Sequence, residues 1–104
     1  MRQFDVFPNP SSVSRKSRPF VVVLQSDFLS KIATVVVAPL AIKDQFEGGA
    51  KRLHPQLKVS GQTLILAAHE LAAIPRRLFG KPVANIESHR DAIISAIDFV
   101  FLGF

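Results

Sequence analysis

Ser88–Phe104, SHRDAIISAIDFVFLGF, reads as a helix with more apolar surface than one small domain needs. Ser88 followed three residues later by Asp91 has the pattern of a capping box. Ile93, Ile97, Val100 and Phe104 recur at helical spacing and form one apolar stripe. Ala92, Ala96 and Phe99 form a second, and Ile94 and Phe101 widen it. Asp91, Ser95 and Asp98 leave only a narrow polar strip. A helix lying on a domain surface needs a single buried stripe. The segment ends in Leu102-Gly103-Phe104, two large apolar side chains where a helix end ordinarily frays. This surplus predicts that something besides the chain's own core covers part of the helix.

Upstream of the helix the pattern is that of short strands. Gln3–Phe7 alternates, with Phe4 and Val6 on one side and Gln3, Asp5 and Phe7 on the other. Pro8–Ser12 breaks it, and the loop continues through Ser14-Arg15-Lys16-Ser17-Arg18, either an ordinary polar loop or a basic one that meets an acidic partner. Phe20–Gln25 is β-branched and apolar on both faces, as a strand covered on both sides would be. Ser26–Ser30 turns the chain and leaves Phe28 and Leu29 in a loop position. Thr34–Leu40 is the next strand, expected to end or bulge at Pro39, which has no N–H for a ladder.

Ala41–His54 reads as a loop with a helical turn, interrupted by Gly48-Gly49. Gln56–Val59 and Gln62–Ala67 flank Ser60-Gly61 as a two-residue hairpin. Ala68–Ala73 is irregular, and Gly80 and Pro82 mark a further turn. About five short strands and one terminal helix predict a mainly β, strongly bent antiparallel sheet or barrel with the helix packed on it.

Composition bounds what such a domain does. The 104 residues make one domain, 1–104, and an apolar fraction of 48% with nine Phe supplies a working core. No stretch approaches the roughly 20 apolar residues of a membrane span. The start, MRQFDVF, has no apolar signal region behind its Arg, so a cytoplasmic protein with no membrane partner is expected. With no cysteine, disulfides and thiolate metal sites are excluded. Thirteen Lys and Arg against eight acids give a charge of +5, spread along the chain rather than massed in one run.

Catalytic patterns are scarce. Gly48-Gly49 is too short for a phosphate loop, and His54, His69 and His89 have no metal-ligand spacing. No nucleophile elbow is present. RNA cleavage demands less, an acid–base group and a cation, which His54, His69, Arg52, Arg76 and Arg77 are able to supply; the bland alternative is that all five are surface or turn residues. No cofactor is expected. The apolar surplus of the helix is the most informative feature, and it most often signals a homodimer whose helices meet across a two-fold axis.

The chain resembles the CcdB family of toxin–antitoxin toxins, which poison DNA gyrase. The resemblance runs through Gln3–Phe7, Asn9-Pro10, Val23–Leu29, Val37–Leu40, Leu53–Pro55, Leu71–Arg77, Arg90–Ile93, Ala96–Phe99 and Gly103-Phe104. It implies an SH3-like antiparallel barrel with a C-terminal helix, as in the CcdB and MazF toxins, and a homodimer. It further implies a non-enzymatic toxin that binds the DNA gyrase A subunit through the helix end and stabilises the cleaved gyrase–DNA complex. A disordered cognate antitoxin would neutralise it, and the pair would bind operator DNA mainly through the antitoxin, as a repressor of their own transcription. The gyrase-contacting positions carried over are Phe28, Leu29, Asp98, Phe101, Leu102, Gly103 and Phe104. Asp98 stands where the best-known toxin has Asn, and Leu102 where the strongest poison has Trp, so the resemblance is to a Trp-less member of the chromosomal type. Two other outcomes belong to the same scaffold: an endoribonuclease like MazF and Kid, or a non-toxic homologue that keeps only the dimer and antitoxin binding.

Overall fold

The computed structural model describes residues 1–46 and 51–104. Its centre is a nine-residue strand, β3 (Thr34–Ile42), and the rest of the sheet is hung on its two edges. Before it run β1 (Asp5–Pro8) and β2 (Phe20–Val23), and after it β4 (Gln56–Val59), β5 (Gln62–Leu66), β6 (Ala72–Pro75) and β7 (Ala84–Asn85). One edge of β3 pairs with β2, Val37 opposite Val23 through Leu40 opposite Phe20. The other edge is divided: Thr34–Val37 pairs with β6, and Leu40–Ile42 with β5. The order β4-β5-β3-β2-β1-β7, with β6 branching from β3, curls into a nearly closed antiparallel barrel. This is the SH3-like, mainly β fold that the sequence predicts.

Seven strands form among the described residues rather than about five. Ala68–Ala73 was expected to be irregular, yet its last two residues open the strand Ala72–Pro75, and Ala84–Asn85 follows the expected turn; both become strands because a neighbour's edge is waiting for them. Pro39 does not end its strand. Its carbonyl accepts from the Ala67 N–H at 2.9 Å. The two backbone groups of a strand residue face the same edge, so the missing donor falls where that edge passes from β6 to β5. β1 begins at Asp5 because Phe4 adopts φ 70°, a left-handed turn that drops its ring into the core. The hairpin at Ser60-Gly61 forms as expected, with φ 50° and 82° at its two central residues. Lys43–Phe46 is a short 3-10 turn, while Gly48-Gly49 lies outside the described residues.

Alternation along the strands sorts the apolar residues into two clusters. Val6, Val22, Ala38, Leu40, Leu57 and Leu64 fill the larger one. Phe7, Val21, Val23, Val35 and Val37 form the second, on the opposite face, covered by Ile74 and Phe79. β2 is therefore buried on both sides, as its composition predicts. The Phe7 and Phe79 rings meet at 5.0 Å between centroids, tilted by 44°, within the range of favourable aromatic pairs.

The helix, α1 (Arg90–Leu102), seals the larger cluster with Ile93 and Ala96, and Ile97 and Val100 pack against its margin. Ser88 does not cap it. Glu87–His89 instead forms a 3-10 turn whose first N–H is taken by Asn85 Oδ1 at 3.0 Å, and His89 occupies the cap position without a side-chain bond. Part of the second apolar stripe is covered by the chain itself: Arg52 donates to Ser95 Oγ at 2.9 Å and lies 5.3 Å from the Phe99 ring centroid. Phe104, on the first apolar stripe by spacing, is 75% exposed. It follows Gly103, whose φ of 77° ends the helix in a left-handed cap.

Burial separates two classes of helix residue, and their substitutions should separate likewise. Ile93→Ala removes a fully buried side chain and is expected to cost about 2–5 kcal/mol in chemical denaturation. Phe101→Ala is expected to stay within about 0.5 kcal/mol of the parent protein.

Candidate docking surface

Two segments far apart in sequence expose large apolar groups, and they come together at Leu29 and Phe101. The first is the 3-10 turn Asp27–Leu29 between β2 and β3. Ser26 caps it, its Oγ accepting from the Phe28 N–H at 3.1 Å. The Asp27 carboxylate accepts from the Gln3 N–H at 2.7 Å, which ties the turn to the start of β1. Phe28 is left 98% exposed and Leu29 43%. The second segment is the end of α1, where Phe101 and Leu102 are 67% and 60% exposed and Phe104 follows beyond Gly103. Asp98, one helical turn before Leu102, is exposed on the same face.

Leu29 and Phe101 meet across a groove of roughly 320 Å³, floored by Leu24, Val36, Leu71 and Ile97. Phe28 faces the other way, lining a separate hollow with Gln3, Ser26 and Asp27. Of the seven positions singled out in the sequence, Leu29 and Phe101 thus share one groove. Asp98, Leu102, Gly103 and Phe104 continue from it along the helix end, and Phe28 stands at the opposite rim of the turn. Sequence reasoning missed the groove's floor. Leu71 and Val36 carry ordinary strand and turn signals, and nothing local reports that they come together.

The candidates for RNA chemistry are divided by the fold. His54 and His69 do meet, Nε2 to Nδ1 at 3.1 Å with rings at 68°. Glu70 lies 3.5 Å from His69 Nε2 and holds Arg18 through two bonds of 2.5 and 2.7 Å. These four residues join the loops before β2, β4 and β6. Arg52 is turned onto α1 instead, and Arg77 is exposed. Arg76 sits beyond the other end of β6, its guanidinium bonded to the carbonyls of Ile32 and Leu29. The cation beside the histidine pair is therefore Arg18, whose fork already grips a carboxylate. Among the described residues no three His, Asp or Glu are grouped to hold a metal ion, and no helix is long and apolar enough to cross a membrane.

With this geometry in hand, comparison with known proteins is decisive on the family. The family model described as CcdB protein matches residues 3–103, nearly the whole chain. The protein belongs to the CcdB family. No curated protein sequence matches it. Among solved structures, it is similar to an endoribonuclease in complex with its cognate antitoxin from mycobacterial species. The TM-score is 0.76 at 12% identity, covering 100% of this chain and 96% of that one. The Mycobacterium tuberculosis toxin MazF-mt6 is similar at a TM-score of 0.64 and 18% identity, covering 96% of both chains. At these identities the likeness is one of fold.

The histidine cluster gives a pH prediction. Burial, then the neighbouring His69, hold His54 below the ordinary histidine range. The Arg18 hydrogen bond holds Glu70 below the ordinary carboxylate range. Both groups bind fewer protons folded than unfolded, so their contribution is present at high pH and is lost on acidification. Thermal melts should be level above about pH 7 and fall in two stages below it, histidine first and carboxylate second. His54→Gln is expected to abolish the first stage and keep the second.

Proposed function

We propose that this chain is the toxin of a toxin–antitoxin pair and acts without catalysis, by docking the end of α1 on the DNA gyrase A subunit. Family membership over residues 3–103 supports the class. The observation that carries the mode of action is the exposure of Phe101, Leu102 and Phe104, three large apolar side chains at a helix end that the barrel core does not use. Anchors of this kind, presented by a rigid element, gain their energy only when a partner covers them. Asp98, Phe101, Leu102, Gly103 and Phe104 form the helix part of the patch, and Phe28 and Leu29 the loop part. Gly103, in its left-handed turn, lets the terminal residue leave the helix axis.

In this reading two copies associate to present paired patches. A cognate antitoxin binds the dimer and releases it from gyrase, and operator DNA is contacted mainly through the antitoxin, in the cytoplasm. Leu102 offers less stacking area than the Trp of the strongest poison, and Asp98 adds a charge, so weaker poisoning than that of a Trp-bearing toxin is expected. The test is deletion of Leu102–Phe104. Growth inhibition and gyrase-dependent DNA cleavage should disappear while the melting curve stays in place. A deletion that unfolds the protein, or leaves toxicity intact, would refute the reading.

The pairing of His54 with His69 favours one alternative, an endoribonuclease that uses these two residues as acid and base. Pure protein incubated with RNA would then cleave it, and His54→Gln or His69→Gln would stop cleavage. A parent protein that neither cuts RNA, binds gyrase nor slows growth would instead be a non-toxic homologue.

A further inference from the structure

The loop between β2 and β3 is held by more side-chain bonds than closing a short turn requires. Ser26 and Asp27 fix its beginning, as described above. Its end is fixed by Arg76, more than forty residues away in sequence. Arg76 Nε donates to the Ile32 carbonyl at 2.5 Å and Nη2 to the Leu29 carbonyl at 2.9 Å. Nη1 lies 3.2 Å from Met1 Sδ, and the Arg76 N–H donates to the Ala33 carbonyl at 2.9 Å. One planar cation therefore gathers two carbonyls of the same loop, a task that suits the rigid fork of Arg and not the single point charge of Lys.

The consequence lies on the other side of the loop. With the carbonyls of Leu29 and Ile32 turned inward to the guanidinium, the side chains of Phe28, Leu29 and Ile32 are left exposed at 98%, 43% and 47%. An unrestrained loop with three such side chains would gain by folding them onto the adjacent apolar groove. Keeping them in solvent carries an ordering cost that burial within this chain does not return. A partner that covers them would return it.

We infer that Arg76 is a positioning residue for partner docking. It preorganises the Phe28-Leu29 tip and fixes the Leu29 lip of the groove opposite Phe101, without itself touching the partner. This rests on the gyrase reading above. A preorganised tip avoids the ordering cost at the moment of binding, so removal of the clamp should appear as lost affinity.

The test measures binding of the purified gyrase A subunit together with amide hydrogen exchange, using Arg76→Ala, Arg76→Met and Arg76→Lys. Arg76→Met keeps the aliphatic stem and guards against a folding defect in Arg76→Ala. Affinity should fall roughly tenfold in Arg76→Ala and Arg76→Met and recover in part in Arg76→Lys, with melting temperature little changed. Protection should be lost at the amides of Leu29, Ser30 and Ile32 while those of β2 and β3 keep theirs. In a Phe28→Ala/Leu29→Ala background, Arg76→Met should cost nothing more, the signature of action through that tip. Parent protein that binds gyrase while Arg76→Met binds equally well would overturn the inference alone. So would a penalty that persists undiminished in the double-alanine background. Parent protein that fails to bind gyrase would overturn the functional reading and the docking role with it.

Discussion

Backbone pairing along β3 is the constraint on which the other elements depend. Nine residues meet β2 on one edge and both β6 and β5 on the other, so three strands take their direction from one. Because β5 and β6 occupy successive lengths of the same edge, the chain between them must turn a corner at Ala67–Leu71. That corner places His69 and Glu70 beside His54 and Arg18. The opposite end of β6 delivers Arg76 to the loop that precedes β3. Both polar clusters are thus by-products of one register, and a slip of that register by one residue would dismantle them together.

The basic charge of the chain is less available than its total suggests. Arg18 is locked on Glu70, Arg52 on Ser95 and Phe99, and Arg76 on two loop carbonyls. Composition alone counts these three side chains toward a nucleic-acid footprint, yet each is occupied in holding parts of this molecule together. Lys31, Lys58 and Arg77, by contrast, are exposed. The distribution agrees with a protein whose contacts are led by apolar groups and only assisted by charge.

Much of the fold was legible because it rests on local signals. The β-branched runs at Phe20–Val23 and Thr34–Leu40, the Ser60-Gly61 turn and the periodicity after Ser88 each declare an element within about ten residues. What escaped depended on distant partners. Ala72–Pro75 is a strand only because the edge of β3 is open to it, and Pro39 sits inside a strand only because a change of partner makes its missing donor harmless. Ser88 lost the capping position to His89 because Glu87–His89 forms a 3-10 turn tied to Asn85, a competition among neighbours that a spacing rule does not rank. Within the candidate docking surface, exposure of Phe101 and Leu102 was foreshadowed by the surplus of apolar stripes. The partial cover that Arg52 gives to Phe99, and the grip of Arg76 on Leu29, were not, since each spans more than forty positions.

The left-handed cap at Gly103 and the exposed residues around it carry an evolutionary consequence. Leu102 and Phe104 are mostly exposed, so replacements there cost folding little. If the docking role proposed for these positions holds, selection on toxicity would act on them without interference from selection on stability. Lineages are then free to sharpen, blunt or retarget the tip while the barrel stays the same. A homologue that had lost its potency entirely would melt like one that had kept it.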